Sequence, residues 1–383
     1  MDAAVPNKLL DLAVQSLLSN ESAAIQALED IPRELFVPLF IAAFKGRHRN
    51  ILSAMVKVWP FYCLHIGSLS IQEAHHELLK AMIENLPVCP AQNSSPRRPK
   101  LRILDLRQVT YSRITCREVS TKSPLCFHSC AYSDHSITKI EGHLRLGNSG
   151  FETQSLRPVE LLVELFLDGS LLQKEFLDLL MGKVEESSGS LHVCCRDLHV
   201  DKLCNYKCTL KFLDLKYVDQ FSVVKGFLSD INCILSQMAH LQSLSLFKVF
   251  FRSLRKKDFK NFLSHLHQME NLKELNLASF YLKNHLEKVL KFVPPGLDFL
   301  CLPFCNLSSR DYQFLSQSPQ ATHLKLLNLS NNTMYWNDLE PICTLLVNLS
   351  GMLLYLELNN CFISDSARMY KGGMRDEWET HKE

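Results

Sequence analysis

Apolar positions recur at helical spacing from residue 7 to about residue 86. Leu10, Ala13, Val14, Leu17 and Leu18 share one stripe behind Asn7, a suitable N-cap. A second helix is predicted from about Ser22 to Asp30, with Ala24, Ile25 and Leu28 on one face, and Pro32 closes it. The run Glu34 to Phe44 is apolar nearly all round, which predicts burial on several sides. Gly46, Arg47 and His48 break it before a helix from Arg49 to Val58, ended by Trp59-Pro60, and a last helix covers Ile71 to Asn85. VCPAQNSSPRRPK then reads as a linker.

Past Lys100 the period changes to a repeat, L-x-x-L-x-L-x-x-N/C-x-L. Leu297, Leu300, Leu302, Cys305 and Leu307 fit it fully, as do Leu353, Leu356, Leu358, Cys361 and Ile363. Leu324, Leu327, Leu329 and Asn332 fit with Met334 in the last slot. Weaker copies start at Leu272, Leu241 and Leu210 (with Leu213, Leu215 and Val218), and an isolated one at Leu101. The last six starts lie 31, 31, 25, 27 and 29 residues apart, room for a strand, a turn and a return helix. Leu286 to Phe292 and Leu339 to Leu346 are two such helices. One unit cannot cover its own apolar face, so neighbours stack on a shared core, with the Asn or Cys bonding open backbone groups at the turn. Residues 111–157 interrupt the period with serine-rich sequence, helical pattern resumes from Pro158 to Met181, and Leu191, Val193 and Cys195 alternate as a strand does.

The expected fold is therefore α/β, a leucine-rich-repeat solenoid behind an N-terminal helical cap. Its parts are a cap at 1–90, a linker at 91–100, the solenoid at 101–366 with an irregular insertion at 111–157, and an atypical tail at 367–383. A stack ending in RMYKGGMRDEWETHKE lacks a polar terminal cap, which suggests a shortened form.

Composition narrows the function. Lys and Arg number 42 against 40 Asp and Glu, a formal charge of +2, so no whole-chain signature for nucleic acid exists. No signal-peptide pattern opens the chain and no long uncharged apolar run crosses it, so no membrane span is expected. The 14 cysteines are then expected reduced, in a cytoplasmic protein with nuclear residence as the alternative. G-x-S-x-G, G-x-G-x-x-G, the phosphate-loop motif and H-E-x-x-H are all missing, and no acid–base pair can be placed. No cofactor is implied. Cys126, His128, Cys130 and His135, like Cys204 and Cys208, lack the repeated spacing of zinc knuckles and read as ordinary thiols and imidazoles. His75 and His76 read as a helix face. Arg97, Arg98 and Lys100, and Arg252 to Lys260, read as solvated basic clusters, with nuclear import as the alternative.

Several stretches resemble the PRAME/oogenesin family of leucine-rich-repeat proteins. The most specific is PRELFVPLFIAAFKGRHRNILSAMVKVWPF, Pro32 to Phe61; PRRPKLRILDLR, PVELLVELFL and LSQSPQATHLKLLNLS are similar to further family stretches. The resemblance implies a curved, ribonuclease-inhibitor-like solenoid. It also implies a non-catalytic adaptor, the substrate-recognition subunit of a cullin-2 RING ubiquitin ligase reached through elongin B and elongin C. Negative regulation of retinoic-acid-receptor signalling, transcription, apoptosis and differentiation, and germline expression, belong to the same family picture. An elongin-binding box would be Ser16 and Leu17 with Ile25, although Glu21 fills its small-residue slot; Ser190, Leu191 and Cys195 fit less well because His199 replaces the final aliphatic. The concave strand face would hold an unidentified protein substrate through Lys273, Glu274, Asn276, Asp298, Phe299, Lys325 and Asn328. A corepressor adaptor for nuclear receptors or chromatin, without ubiquitin transfer, is the alternative, as is a shortened form lacking independent activity. Phe176–Leu180 and Ile342–Leu346 come nearest to a receptor box, each with the wrong first residue.

Overall fold

The structure is a computed structural model that describes residues 9–61, 63–66, 75–86, 100–107, 158–207, 209–250, 256–349, 351–361 and 363–364. The chain divides into two compact units, one of Met1–His199 with Tyr206–Val218, the other of Val200–Asn205 with Asp219–Glu383.

The first unit opens with helices α1 (Leu9–Ser19), α2 (Glu21–Ala27), α3 (Phe36–Lys45) and α4 (Arg49–Lys57). They are followed by β1 (Cys63–His65), α5 (His76–Glu84), β2 (Ile103–Asp105), β3 (Val159–Leu167), α6 (Leu171–Glu186) and β4 (Leu191–Lys202). The strand order is β1-β2-β3-β4, with β1, β2 and β3 parallel. Phe36, Phe40 and Phe44 recur every fourth residue, so α3 turns one aromatic face inward, and its other apolar positions bury Val37, Leu39 and Ala43 as well. Trp59 closes that core fully buried, 5.4 Å from the Phe40 ring and 5.6 Å from Phe61, with its indole Nε1 donating to the Cys63 carbonyl at 3.1 Å. The Gly-Arg-His break has a steric cause. A Cβ on Gly46 would lie 2.6 Å from the His48 ring, while Arg47 takes a left-handed turn at φ 59°.

Three features of this unit differ from the sequence expectation. The segment VELLVELFL, read as helical, is strand β3: Val159, Leu161, Val163, Leu165 and Leu167 face inward and are buried, but the apolar Leu162 and Phe166 on the other face blur the period of two. The three-residue β1 was not foreseen, being too short to show a period. On α1 only Val14 is buried, and Leu9, Leu10 and Leu12 stay exposed.

The second unit contains β5 (Gln220–Phe227), α7 (Leu228–Leu235), β6 (Ser243–Leu246), β7 (Val249–Phe250), α8 (Lys256–Gln268), β8 (Glu274–Asn276) and α9 (Leu286–Leu290). It continues with β9 (Phe299–Cys301), α10 (Ser309–Gln317), β10 (Leu326–Asn328), β11 (Met334–Tyr335), α11 (Leu339–Asn348), β12 (Tyr355–Glu357) and β13 (Ile363–Ser364). Strands β5-β6-β8-β9-β10-β12 lie in that order, every pair parallel. The register aligns Phe221, Leu244, Leu275, Leu300, Leu327 and Leu356 in one inward row, of which all but Leu356 are buried. Each buried side chain contributes about 1.5–3 kcal/mol by removal from water, an upper figure for a compact unfolded chain. The copy expected at Leu210 is corrected by this register. Residues 209–212 and 215–217 form 3-10 turns, and the repeat begins at Val218, with Phe221, Val223 and Gly226 in the leucine and asparagine slots.

Two devices stitch successive repeats. Asn332, 1% exposed, accepts from the Cys305 N–H at 2.9 Å and donates to the carbonyls of Leu302 and Leu329 at 2.7 and 2.8 Å. Cys305 takes the same slot one repeat earlier, its thiol donating to the Leu277 carbonyl at 3.0 Å. Burial pushes that thiol up to about 12, so it keeps its proton at neutral pH. The buried carboxylate of Asp311 caps its own helix through Ser308 and accepts the N–H groups of Asn284 and Leu286 in the preceding repeat, at 2.8 and 3.1 Å.

The turn after each strand is left-handed at one recurring position: Lys248, Ser279, Phe304, Asn331 and Asn360. Neighbouring turns are joined along this line, as in Ser279 N–H to Pro303 carbonyl (2.9 Å) and Asn331 N–H to Asn359 carbonyl (2.8 Å). Asparagine tolerates that conformation, whereas a bulky aromatic does not. Phe304, at φ 57° and mostly exposed, therefore carries strain without compensating burial. Phe304→Asn is expected to raise stability by about 1 kcal/mol. The denaturation midpoint in urea should rise with unchanged slope, and a lowered midpoint refutes the assignment of strain.

Candidate functional site

Side chains alternate across a strand, so the residues flanking each inward leucine of the second unit face away from the core. The register orders them into rows. Gln220, Ser243, Glu274, Phe299, Leu326 and Tyr355 make the first, and Ser222, Ser245, Asn276, Cys301, Asn328 and Glu357 the second. Before the strands, Gln242, Lys273, Asp298, Lys325 and Leu354 are linked by backbone hydrogen bonds of 2.7–2.8 Å into a third.

All seven strand-face residues expected from the sequence fall in these rows on three adjacent strands. Lys273 is exposed, and the other six are half-buried. The first row changes character along its length, polar at Gln220, Ser243 and Glu274, then apolar at Phe299, Leu326 and Tyr355. Those three side chains span about 10 Å at the strand spacing. They are flanked on one side by the Lys325–Asp298 ion pair (3.0 Å) and on the other by Asn328, whose Nδ2 donates to Glu357 and whose Oδ1 accepts from the Ser330 N–H at 2.9 Å. The ion pair is partly solvated, so it orients two side chains and adds at most about 1 kcal/mol. An apolar strip fringed by amides and charges is the composition of a protein contact. Sequence reasoning stopped at three repeats and missed Leu354, Tyr355 and Glu357; the same offsets applied to the copy at Leu353 find them.

The elongin-box residues straddle a break. Ser16 is exposed and Leu17 half-buried at the end of α1, and Ile25 is half-buried on α2. Asn20 lies between the helices and caps the second through its side chain, which accepts from Ala23 N–H at 3.2 Å. Glu21, the residue at odds with the box, accepts from the Ile51 N–H at 3.0 Å and from Asn50 at 3.3 Å, capping α4. In the second candidate, Leu191 and Cys195 are buried in β4 with His199 further along the strand.

Cys194, Cys195 and Cys301 are shifted away from reactivity. Burial is the main cause that raises Cys194 to about 12 and Cys301 to about 11, and it carries Cys195 upward too. His192 Nδ1 is 3.6 Å from the Cys194 sulfur, and its Nε2 is 3.6 Å from Asp214, but the protonated, buried thiol beside it is a poor nucleophile. Among the described residues no group of three or more His, Cys, Asp or Glu is arranged to hold a metal, and no helix is long and apolar enough to cross a membrane. Cys126, His128, Cys130, His135, Cys208, Arg97, Arg98, Arg252 and Arg255 lie outside the described residues.

One short parallel strand per repeat and in-register inward leucines, with Cys305 and Asn332 buried at two of the turns, define a leucine-rich-repeat protein. Two family models match the chain, the PRAME N-terminal domain over residues 6–112 and the PRAME C-terminal domain over 159–370. The chain belongs to the PRAME family. Human PRAME family member 14 is 31% identical over 376 residues, covering 95% of this chain and 76% of that protein. Human PRAME family member 1 is 32% identical over 384 residues with the same coverage. A solved leucine-rich repeat-containing protein, LegL7 from Legionella pneumophila, aligns over 82% of this chain and 87% of that one, at 12% identity and a TM-score of 0.29.

Proposed function

We propose that this chain is a non-catalytic protein-binding adaptor. In this reading its N-terminal helices dock elongin C, and through elongin B and cullin-2 a ubiquitin ligase, while the strand face selects a protein for ubiquitination. The observation that carries the reading is the apolar strip of Phe299, Leu326 and Tyr355 held in register between rows of charge and amide. A parallel stack presents such a strip with little entropy left to lose on binding. Family membership supports the ligase arm, and the half-exposed Leu17 beside the exposed Ser16 is compatible with a helix-in-groove contact.

The test is recovery of elongin C from cells with the full chain. Leu17→Ala and, independently, Ser16→Asp are expected to reduce recovery at least about tenfold, the usual weight of one central anchor. Ser16 is exposed, so its substitution leaves folding intact. Unchanged recovery with both variants removes this box as the docking element.

A further inference from the structure

The five connections that follow the strands of the second unit share a property. Forty of the 383 residues are acidic, yet the described residues 247–250, 277–284, 302–310, 329–337, 358–361 and 363–364 include no Asp or Glu. Of the first described carboxylates beyond them, Asp258 in the first turn of α8 is half-buried, and the other three are engaged. Asp311 and Asp338 are buried helix caps, and Glu287 is engaged by Lys291 at 2.8 Å and Arg310 at 3.2 Å. On the same edge Phe250, Tyr281, Phe304, Tyr335 and Trp336 are exposed by 38–58% although each is aromatic. Lys248 stands among them with its Nζ 5.0 Å from the Phe247 ring centroid, and neither it nor Lys283 has a carboxylate partner among the described residues.

We propose that this turn edge is a second protein-docking surface, separate from the strand face, and that its occupant is an acidic segment carrying apolar or aromatic anchors. Charge complementarity selects the occupant: cations without anions favour a negative partner and disfavour a basic one. The exposed aromatics supply the anchors that dominate protein interfaces. Only Phe250 and Tyr281 share a repeat position, so the five do not form the regular stacking ladder that a single nucleic-acid strand uses. The strand face, with Glu274, Asp298 and Glu357, has a different charge pattern and would take a different segment. The proposal rests on the adaptor reading only in requiring a protein ligand.

Fluorescence anisotropy on the full chain decides it, with a labelled random glutamate–tyrosine copolymer as probe and polyglutamate and oligouridylate as competitors. The copolymer is expected to bind in a salt-dependent way, with polyglutamate a poor competitor. The double variant Lys248→Glu, Lys283→Glu should weaken binding about tenfold or more. Phe304→Asn should weaken it too while the protein melts no lower than the parent, which separates lost binding from lost folding. Leu326→Ser on the strand face should bind as the parent does. Equal binding of polyglutamate, displacement by oligouridylate, indifference to the turn-edge variants, or loss through Leu326→Ser alone each overturns the proposal. Elongin recovery is read separately, so the adaptor docking reading can survive that outcome or fail without it.

Discussion

Replacing Asn332 with leucine is expected to cost the second unit about 4 kcal/mol. The side chain is 1% exposed and has bonds to backbone groups of five residues across two repeats: Cys305, Leu302 and Leu329, and at 3.4 Å Leu307 and Ser330. Leucine has similar volume, so the loss isolates hydrogen bonding from cavity formation. Each buried group left unpaired costs about 1–3 kcal/mol, with some relieved by local relaxation. Cysteine at the same position should lose about half as much. The chain itself shows why, since the Cys305 thiol donates to the Leu277 carbonyl and the Cys361 thiol to Leu329 at 3.4 Å. Urea unfolding of the two variants checks the order. Leucine equal to cysteine would mean that the slot is governed by volume and not by backbone satisfaction.

Trp59→Ala should remove about 3–5 kcal/mol from the first unit. It empties the space between the rings of Phe36, Phe40 and Phe61 and leaves the Cys63 carbonyl without its indole donor. Phe at this position keeps most of the packing and loses one bond, so about 1–2 kcal/mol is expected. Hydrogen exchange locates the effect: amides of α3, α4 and β1 should lose protection while those of β8 to β10 keep theirs. Equal loss in both regions would show that Trp59 does not act locally.

How far the sequence reveals this molecule depends on which residues hold each slot. The repeats from Leu241 onward are legible because leucine fills the inward positions with strict spacing, and their outward neighbours follow by alternation. The repeat at Val218 is hidden because Phe221 and Val223 replace leucines and Gly226 replaces the asparagine, leaving a nearby leucine series at Leu210 as a decoy. Strand β3 is hidden for a different reason: its outer face carries Leu162 and the exposed Phe166 beside Glu160 and Glu164, and these apolar residues blur the alternation that distinguishes a strand from a helix. The left-handed turn line could have been read only at Asn331 and Asn360. Lys248, Ser279 and Phe304 give no conformational signal of their own, and the stack around them sets their geometry. In the elongin box the break between the two helices was legible, but the role of Glu21 needed Ile51, thirty residues away, to be seen.

Asp311 and Asn332 also decide what counts as a removable part of this chain. Each spans a seam, so cutting at the leucine that opens a copy severs bonds on both sides of the cut. A chimaera made by exchanging one leucine-to-leucine segment inherits a donor without its acceptor, and a splice inside the return helix α10 fares no better, because Cys305 and Leu302 lie before it and Asn332 after it. The natural building block for recombining such proteins is thus a run of consecutive copies kept whole, longer than the period that the leucines announce.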